Sequence, residues 1–500
     1  MSGHSRVVVV GAGFGGLATA IRLAAEGVAV TLLERGDRPG GRAGRVEREG
    51  FAFDTGPSVL TMPHLFEELF ALGGERLADH VELVRLDPAY RATFHDGSVL
   101  RVRASVDAMA EEVRDVCGPD EAARFRRLSA RLRDLYDAEY RTFIDRNFTS
   151  VADLARPLVM ARLAGLGGFR RVYPLVSGLV RDWRLRRLFT FQSMYAGMSP
   201  FEALGVYAVI AYMDTIAGVY AARGGVATVS GALADLAGRM GVEVRYGTEV
   251  ERVETGGGRA VGVRAVGGER FASDVVVLNA DLPTAYRDLL PAEVTPRRVK
   301  SLRYSPSCVV VHLGLDTRLD TAAHHNIHFA EDYEASFDDV LSGRLQRDPS
   351  WFLSVPTVSD RALAPPGGEV AFWLLPAPNL VDGGDFGWQA QAPRELVRAQ
   401  RTMEAAGYGR VASHTVTSEV VTPVDWARQG MAAGTPFAAS HHFRQTGPFR
   451  PANVAPKVGG VVFAGSGTTP GVGVPMVLVS GKLAARRVIH QLDRRPRVAA

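Results

Sequence analysis

The first forty residues constrain the fold more than any other part of the sequence. A run of four valines precedes Gly11, Gly13 and Gly16, a helical pattern follows, and a second apolar run, VAVTLL, ends at Glu34. This order is that of a strand, a glycine-rich turn, a helix and a second strand in an α/β sheet. At this spacing Gly11 permits the tight turn, Gly13 lets the backbone approach a pyrophosphate, and Gly16 lets the helix pack on the strand. The pattern predicts a dinucleotide site.

The acidic residue at the end of the second strand fits the same interpretation. Glu34 lies about twenty residues beyond the glycines, where a carboxylate accepts hydrogen bonds from the hydroxyls of an adenosine ribose. The N-terminus of the intervening helix would direct its positive dipole end at the phosphates. The alternative is a glycine-rich turn in an unrelated α/β unit. The complete order of strand, turn, helix, strand and acid favours the dinucleotide site.

The residues after the second strand distinguish between dinucleotides. The stretch RGDRPGGRAGRV contains Arg35, Gly41 and Arg42, whereas a nicotinamide site needs nothing basic and glycine-rich at this point. The stretch resembles the GGR extension of large FAD-dependent amine oxidases and carotenoid desaturases. In those proteins the flexible backbone and the arginine reach the flavin side of the pyrophosphate. We therefore expect FAD rather than NAD.

The C-terminal loop has more glycine and proline than a surface turn needs. The stretch VVFAGSGTTPGVGVPMVLVSGKLAA begins as an apolar strand that stops at Gly465, and a helix opens at Pro475. Glycines at this point indicate a backbone that comes close to a group that is not protein. The helix would direct free N–H groups and its positive dipole end at that group. The alternative is an ordinary strand–helix turn with a proline in the first turn of the helix.

Several stretches together resemble the carotenoid (phytoene) desaturases of bacteria and fungi. They are GAGFGGLATAIRL, ERGDRPGGRA, FDTGPSVLTMP, GVYAARGGVATVSGALADLA, SDVVVLNADLPTAYRDLLP, HHNIHFAEDYEASFDDV, VSDRALAPPG and the C-terminal loop. The resemblance covers nearly the whole chain. It implies an α/β fold with a discontinuous, Rossmann-like FAD-binding domain of the GR2 type, a substrate domain and a helical membrane-facing region. The implied FAD-binding domain comprises residues 1–65, 216–285 and 425–500, and the substrate-binding domain comprises residues 66–215 and 286–424.

The resemblance also implies which residues bind the cofactor. Val250 matches a valine whose backbone pairs with adenine. Residues 54–57 match a turn that runs close to the flavin, although alone they fit an ordinary type I or II turn equally well. Val474–Met476 would lie beside the isoalloxazine ring, where the helix dipole favours the negative charge of reduced flavin. The expected cofactor-binding residues are Gly11, Gly13, Gly16, Glu34, Arg35, Gly41, Arg42, Asp54, Gly56, Pro57, Val250, Gly465, Val474, Pro475 and Met476.

The function implied by the resemblance is FAD-dependent desaturation in carotenoid biosynthesis. A hydride leaves an allylic carbon of a long polyene hydrocarbon for flavin N5, and a proton leaves the neighbouring carbon. A substrate without polar groups predicts a long apolar tunnel, and the cofactor carries the chemistry. The sequence does not specify the electron acceptor, a quinone or O2. His441, His442 and Gln445 are the candidates for handling the proton.

One motif of the family is altered in this chain. Many members carry Phe-Arg-Asp after a Leu-Ser pair, whereas the matching stretch NFTSVADLARP has Val151 and Ala152 in place of the Phe and Arg. Any mechanism that needs that arginine is therefore in doubt here. Arg146 and Arg156 are the candidates to replace it.

Arginines alternate with apolar residues at helical spacing over residues 155–190. One interpretation is core helices with solvated arginines, and the other is a basic amphipathic face that rests on an anionic membrane. A long hydrocarbon substrate must be drawn from the bilayer, so the resemblance favours a cytoplasmic protein that is peripheral on the inner face of the cell membrane. The most apolar stretch, residues 203–213, is too short to span a bilayer and predicts a buried helix.

Composition and spacing argue against other classes of site. The formal net charge is only +4, which gives no sign of nucleic-acid binding, and Cys117 and Cys308 lie far apart without a CxxC pattern. His324, His325 and His328 do not predict a metal site, because adjacent residues of a strand point to opposite faces.

Other functions on the same fold remain as alternatives. They are carotenoid isomerisation, oxygenation of a carotenoid end and retinol saturation. A different class is a flavin-free, prenyl-binding chaperone like the Rab GDP-dissociation inhibitors. The intact GxGxxG, Glu34, the GGR stretch and the C-terminal glycine loop argue against that class.

Overall fold

The computed structural model describes residues 5–148, 150–154 and 157–493. Arg156, one of the two arginines named above, lies outside these residues. The strands, numbered in chain order, are β1 (Arg6–Val10), β2 (Ala29–Leu33), β3 (Arg45–Arg48), β4 (Phe51–Asp54), β5 (Leu83–Arg85), β6 (Tyr90–Thr93), β7 (Val99–Val102), β8 (Tyr220–Ala222), β9 (Glu243–Arg245), β10 (Val250–Gly256), β11 (Arg259–Ala265), β12 (Arg270–Ala272), β13 (Val275–Leu278), β14 (Ser307–Leu315), β15 (His325–His328), β16 (Trp351–Ser354), β17 (Glu369–Ala377), β18 (Thr415–Val421) and β19 (Val461–Phe463). The α-helical segments are α1 (Phe14–Ala25), α2 (His64–Leu72), α3 (Val106–Cys117), α4 (Pro119–Glu139), α5 (Pro157–Leu166), α6 (Val172–Ser177), α7 (Trp183–Leu188), α8 (Ala208–Ala211), α9 (Val226–Arg239), α10 (Leu282–Thr284), α11 (Arg297–Lys300), α12 (Tyr333–Leu341), α13 (Trp388–Ala405), α14 (Pro423–Arg428) and α15 (Val474–Asp493).

A parallel sheet of five strands, in the order β19-β13-β1-β2-β9, forms the base of the molecule. Its strands are short apolar runs such as VVVV and VVVL, buried because both faces of the sheet are covered. Helices α1, α9 and α15 pack together on one face, and the antiparallel sheet β10-β11-β12 packs on the other. The expected strand–turn–helix–strand unit is therefore present, and strands from the beginning, middle and end of the chain share this sheet.

A second sheet has seven strands in the order β18-β14-β17-β16-β15-β6-β7. Every neighbouring pair is antiparallel except β15 and β6, which run parallel. Helix α13 covers one face, where Trp388, Ala399 and Met403 pack against the apolar side chains of β14 and β17. The mixture of helices and two kinds of sheet agrees with the α/β architecture that the resemblance implies.

Helices α2 to α8 form a layer beside both sheets. The predicted buried helix at 203–213 is divided into a 3-10 turn at Gly205–Tyr207, helix α8 and a π-helix at Tyr212–Ile216. A second π-helix, Tyr140–Ile144, continues α4. Within the described ranges, no helix is both long enough and apolar enough to cross a bilayer.

The C-terminal helix α15 begins at Val474, one residue earlier than expected, so that Pro475 occupies its first turn. The amide of Val477 donates to the carbonyl oxygen of Gly473 at 2.9 Å, which makes Gly473 the residue that precedes the helix. Helix α15 packs along α1. The two helices therefore begin at the same edge of the parallel sheet.

Candidate active site

One continuous cavity of about 1800 Å³ lies between the parallel sheet, the helical layer and the seven-stranded sheet. It exceeds the roughly 300–1000 Å³ of ordinary small-molecule pockets, so it can hold two ligands together. Two parts of its lining differ in character. The glycine wall comprises lining residues of the segments 11–15, 34–44, 279–281 and 465–477. The apolar wall comprises lining residues of the segments 139–148, 191–214, 327–337, 351–352 and 372–376.

The glycine wall lies at the carboxyl ends of three neighbouring parallel strands. Gly11 follows β1, Asn279 follows β13, and Gly465 comes shortly after β19. The Asn279 side chain donates to the carbonyl oxygen of Ala464 at 3.0 Å, and a Cβ added to Gly15 would lie 2.6 Å from the same Asn279 nitrogen. A side chain at Gly15 would therefore displace Asn279. Open α/β sheets bind their ligands at this edge.

The N-terminus of α1 reaches the cavity without a side-chain cap. Gly13 is the residue before the helix and offers no acceptor to the first turn, and Phe14 and Gly15 line the cavity. Amide groups at such a helix start are suited to bind phosphate. Gly16 does not line the cavity. A Cβ added to Gly16 would lie 2.0 Å from the carbonyl oxygen of Gly11, so glycine is needed there for the close packing of helix and strand.

Glu34 shapes the turn at the end of β2. Its Oε2 accepts a hydrogen bond from the Ala12 amide at 2.7 Å, and its Oε1 accepts one from the Gly36 amide at 2.8 Å. A carboxylate has about four acceptor positions, so two remain for a ligand. Arg35 also lines the cavity and donates from Nη2 to the carbonyl oxygen of Gln429 at 2.6 Å.

Arg42 connects distant parts of the chain at the cavity. Its Nη1 donates to Ser466 Oγ at 2.7 Å, and its Nη2 donates to Asp281 Oδ1 at 3.1 Å. The other oxygen of Asp281 accepts from the Ala432 amide at 3.1 Å. Burial raises the pKa of Asp281 above its usual value, and the positive charge of Arg42 opposes that rise. This ion pair fixes the C-terminal loop beside the GGR stretch.

Two glycines of the C-terminal loop serve different purposes. A Cβ added to Gly471 would lie 2.1 Å from Nε2 of His441, so Gly471 leaves room for another side chain of the protein. Gly473 has a φ of +109°, and a Cβ there would meet nothing closer than Met476 Cγ at 3.9 Å. Gly473 therefore faces open space in the cavity.

Arg450 is a buried cation behind this loop. It is 1 % exposed, and it donates to the carbonyl oxygens of Ser466 at 2.7 Å and Thr468 at 2.9 Å. Longer bonds reach the carbonyl oxygens of Ala439 and Gln445. Burial lowers the pKa of Arg450 to about 10, so its side chain remains charged at neutral pH. The guanidinium group holds the loop by its backbone.

Most of the expected cofactor-binding residues line the cavity. Those that do are Gly11, Gly13, Glu34, Arg35, Gly41, Arg42, Gly56, Pro57, Val250, Gly465, Val474, Pro475 and Met476. Gly16 and Asp54 are not among its lining residues. Both carboxylate oxygens of Asp54 accept a hydrogen bond from the Val226 amide at 3.0 Å, and burial raises the pKa of Asp54 to about 6. Asp54 therefore caps the start of α9.

The three candidates for proton handling are placed differently. His441 lines the cavity, and burial lowers its pKa well below the usual value, so its ring is neutral. His442 and Gln445 do not line the cavity. Gln445 accepts from the Arg303 amide and donates to the Arg303 carbonyl oxygen, both at 2.9 Å, which ties two loops together.

Other sequence candidates do not line the cavity themselves and contact protein groups. Arg146 Nη2 lies 3.7 Å from Asp153 Oδ1. His324 Nδ1 is 2.8 Å from a serine hydroxyl, both ring nitrogens of His325 are 3.2 Å from backbone carbonyl oxygens, and His328 Nε2 is 3.0 Å from a tyrosine hydroxyl. Each of these histidines therefore has a partner in the fold.

The apolar wall consists largely of aromatic and aliphatic side chains, but two buried acids interrupt it. Asp214 is 3 % exposed. It accepts one hydrogen bond from the Tyr90 hydroxyl and a second from the Gln192 amide at 3.4 Å. Burial raises the pKa of Asp214 to about 6. Glu139 is 5 % exposed, burial raises its pKa well above the usual value, and its Oε1 has no hydrogen-bond partner among the described residues.

Sequence reasoning missed several polar residues of the cavity and its surroundings. They are Glu139, Asp214, Asn279, Asp281 and Arg450. A signal existed for two of them, because Asn279 and Asp281 come directly after a buried parallel strand, at the edge where such sheets bind ligands. The others interrupt helical or loop stretches without any motif.

The predicted FAD fits the glycine wall. Glu34 has free acceptor positions for a ribose, the uncapped start of α1 offers amide groups to a pyrophosphate, and Gly473 opens into space at the start of α15. Arg42 adds a positive charge beside the same wall. The residues present therefore supply one suitable group for each part of this cofactor.

Known proteins resemble the chain over nearly its whole length. Residues 14–489 match the profile of the family described as flavin containing amine oxidoreductase. A phytoene dehydrogenase of Streptomyces griseus is 48% identical over 99% of this chain and 97% of its own length. A zeta-carotene-forming phytoene desaturase of Myxococcus xanthus is 39% identical over 97% of this chain and 94% of its own length.

Solved structures agree in fold at much lower sequence identity. A putrescine oxidase variant superposes with a TM-score of 0.63 at 16% identity, over 98% of this chain and 100% of its own. The glycine wall, with its strand ends and two helix starts, is the part of the structure that a flavin-binding fold requires. The chain belongs to the phytoene desaturase family within the flavin-containing amine oxidoreductases.

Proposed function

We propose that this protein is an FAD-dependent carotenoid desaturase that introduces C=C double bonds into a long polyene hydrocarbon. The observation that carries the proposal is the cavity, in which a wall suited to a dinucleotide continues into an extended apolar wall. Such a wall contacts a hydrocarbon along its length and offers little to a polar substrate. The names of the Streptomyces and Myxococcus relatives, which refer to phytoene, support the same class of substrate.

The chain contributes binding, orientation and exclusion of water. FAD, when bound, supplies the oxidation of an allylic carbon. The start of α1 and Glu34 would hold the nucleotide half of the cofactor, and Val474–Met476 would contact the flavin half. The apolar wall would hold the polyene extended beside it, so that dispersion contacts rather than hydrogen bonds decide where each C–H group lies.

Product analysis tests this function. The gene is co-expressed with a pathway that forms phytoene, and the extracted carotenoids are separated and identified by their absorbance. We expect products with longer conjugated systems, together with purified protein that is yellow from bound flavin. Unchanged phytoene beside folded, flavin-loaded protein would contradict the desaturase assignment, and colourless folded protein would contradict flavin binding.

We also propose that the protein is cytoplasmic and that it docks on the inner face of the cell membrane at the cavity entrance. Leu158, Phe169 and Phe443 are 86, 45 and 62 % exposed, and the two phenylalanines also line the cavity. Exposed apolar side chains at the mouth of an apolar cavity are suited to insert among lipid chains. Arg162 and Arg170 are exposed in the segment that contains Leu158 and Phe169, where they can contact anionic headgroups.

Sedimentation with lipid vesicles tests the docking. Binding to vesicles that contain anionic lipid should fall as salt rises, because salt screens exposed charges. Replacement of Arg162 and Arg170 by Glu should weaken binding. The matched control replaces two exposed arginines of α13, Arg394 and Arg401, and should leave binding unchanged. Binding that ignores lipid charge and salt would contradict the role of the arginines.

Turnover requires an electron acceptor, for which we consider a quinone and O2. Docking on the membrane favours a quinone, which resides in the same bilayer. The protein is reduced anaerobically, and the return of flavin absorbance is followed after mixing with a short-chain quinone or with dissolved O2. A faster return with quinone at equal concentration supports this choice, and a faster return with O2 contradicts it.

A further inference from the structure

Asp214 is a buried carboxylate in the cavity lining, and it has no positively charged partner to stabilise it among the described residues. It lies in the π-helix Tyr212–Ile216, lines the apolar wall and is 3 % exposed. Among the described residues no arginine, lysine or histidine forms an ion pair with it, so its partners are the neutral Tyr90 hydroxyl and Gln192 amide. A charge buried without a counterion is unfavourable, and π-helical turns occur frequently at functional sites.

A short chain of contacts connects Asp214 to the loop that is expected to hold the flavin. The Tyr195 hydroxyl interacts with that of Tyr90, which in turn donates to Asp214. The residue after Tyr195 accepts a hydrogen bond from the His441 amide at 3.0 Å through its carbonyl oxygen. The His441 ring lies directly against Gly471. Asp214 is therefore linked through the protein to the C-terminal loop, and both line the same cavity.

The pKa of Asp214 is suited to a base, and it differs from the pKa of His441, another titratable group of the cavity lining. Burial raises the pKa of Asp214 to about 6, so it is charged at neutral pH and still basic enough to accept a proton. Burial also raises the pKa of Glu139 well above its usual value, and it lowers that of His441 well below its own, so the His441 ring is a weak base.

We propose that Asp214 is the catalytic base that takes the proton of the polyene, an assignment that rests on the desaturase function proposed above. One C–H bond breaks, its electron pair becomes the π bond of the new C=C bond, and the proton forms an O–H bond on Asp214. A hydride, which is one proton with two electrons, leaves the adjacent carbon for the oxidant, the flavin of the proposed function. Tyr90 and Gln192 are positioning residues that hold the carboxylate.

The variant Asp214→Asn tests the base directly. Asn keeps the volume and an acceptor for Tyr90, so the flavin content should stay close to that of the unaltered protein and the melting temperature at pH 8 should not fall below it. The desaturation rate per bound flavin should fall by about 100-fold or more, as for loss of a general base. The control Asp339→Asn removes a buried carboxylate that does not line the cavity, and its rate per flavin should be retained.

The result distinguishes this inference from the function on which it rests. If the unaltered protein forms no desaturated product, the desaturase function fails. If the unaltered protein is active and Asp214→Asn is equally active, only the assignment of Asp214 fails. Tyr90→Phe retains Asp214 and provides a second test. Loss of the Tyr90 donor should raise the pKa of Asp214 and shift the acidic limb of the rate profile to higher pH. An unchanged limb would overturn the assignment.

A titration without cofactor or turnover supplies an independent measurement. Carboxyl infrared spectra of the flavin-free protein are recorded against pH, and those of Asp214→Asn are subtracted. We expect a difference band that titrates near pH 6. Tyr90 and Tyr195, which face Asp214, have pKa values raised well above their usual range, and the pKa of His325 beside Tyr90 is lowered to about 4. None of these three side chains changes its charge near pH 6. A difference band that titrates near pH 4 instead would overturn the assignment.

Discussion

The two walls of the cavity solve different physical problems. The glycine wall presents backbone, two helix starts and a few charged groups, whereas the apolar wall presents aromatic and aliphatic side chains with two buried acids. A dinucleotide needs close approach to amide groups, which only certain residues at fixed positions allow. A hydrocarbon needs only a matching shape, which many combinations of apolar side chains provide. We therefore expect substitutions in the glycine wall to abolish binding and those in the apolar wall to act by degrees.

The largest effect is expected for Glu34→Arg, in the glycine wall. The variant removes the acceptors for the Ala12 and Gly36 amides and places a positive charge beside the start of α1. We expect purified protein with almost no flavin, measured as absorbance per protein. The control Glu243→Arg reverses an exposed charge on the neighbouring strand β9, outside the cavity lining, and should keep its flavin. An unchanged flavin ratio in Glu34→Arg would remove this residue from the site.

The next effect is expected for Gly473→Leu. Its side chain would extend into open cavity, since only Met476 lies within 4 Å of an added Cβ. We expect the flavin content to fall steeply while the melting temperature changes little, because backbone strain at a positive φ costs about 1 kcal/mol. Gly241→Leu is the matched control, since Gly241 has a φ of +88° with nothing within 4 Å and is exposed. Equal flavin loss in both variants, or none in either, would show that Gly473 is a turn residue only.

The same comparison explains how much the sequence could predict. The strands β1 and β2, the turn at Gly11–Gly16 and the loop before α15 follow from local patterns, because a backbone that approaches a ligand needs glycine at particular positions. For Asp54 the sequence allows two interpretations, a turn close to the flavin and an ordinary turn. The structure shows its carboxylate capping α9, which lies far along the chain, and no local pattern specifies such a partner.

The apolar wall could not be predicted in the same way. Asp214 lines this wall from a π-helix, and its partners Tyr90 and Gln192 come from a strand and a 3-10 turn that are many residues away in the chain. The apolar stretch at 203–213 predicts one buried helix, whereas the structure divides it, and helical periodicity does not distinguish an α-helix from a π-helix. In the sequence, Asp214 is only the polar residue that follows an apolar run, and no motif marks it as functional.

The pH dependence of stability gives a third, intermediate effect. The pKa of Asp214 is raised from 3.8 to about 6 in the folded protein, so folding favours its protonated form. Its contribution to stability is full below pH 3.8 and is lost as pH rises through about 6. A shift of this size corresponds to about 3 kcal/mol. The unfolding free energies of Asp214→Asn and the unaltered protein should therefore diverge by about this amount between pH 4 and pH 6.5, with the variant gaining as pH rises.

Asp339 provides the control for that measurement. Hydrogen bonds from Arg347 lower the pKa of Asp339, so its contribution is present above the unfolded pKa and lost as pH falls. Asp339→Asn should therefore lose stability relative to the unaltered protein as pH rises, the opposite sign to Asp214→Asn. Parallel pH profiles for Asp214→Asn and the unaltered protein would contradict a raised pKa at Asp214.

The smallest effect is expected for Glu139→Met, at the other acid of the apolar wall. Glu139 is buried with an Oε1 that lacks a partner among the described residues, and an unsatisfied buried polar group costs about 1–3 kcal/mol. Met has a similar length and no polar hydrogen, so the variant should be more stable by about 1 kcal/mol in urea unfolding. Glu121 on the same helix is also buried, but it accepts from the amides of Arg181 and Asp182 at 3.0 and 3.2 Å, so Glu121→Met should be destabilised. If Glu139→Met also loses stability, Glu139 holds the apolar wall together, and this wall depends on fixed polar positions as the glycine wall does.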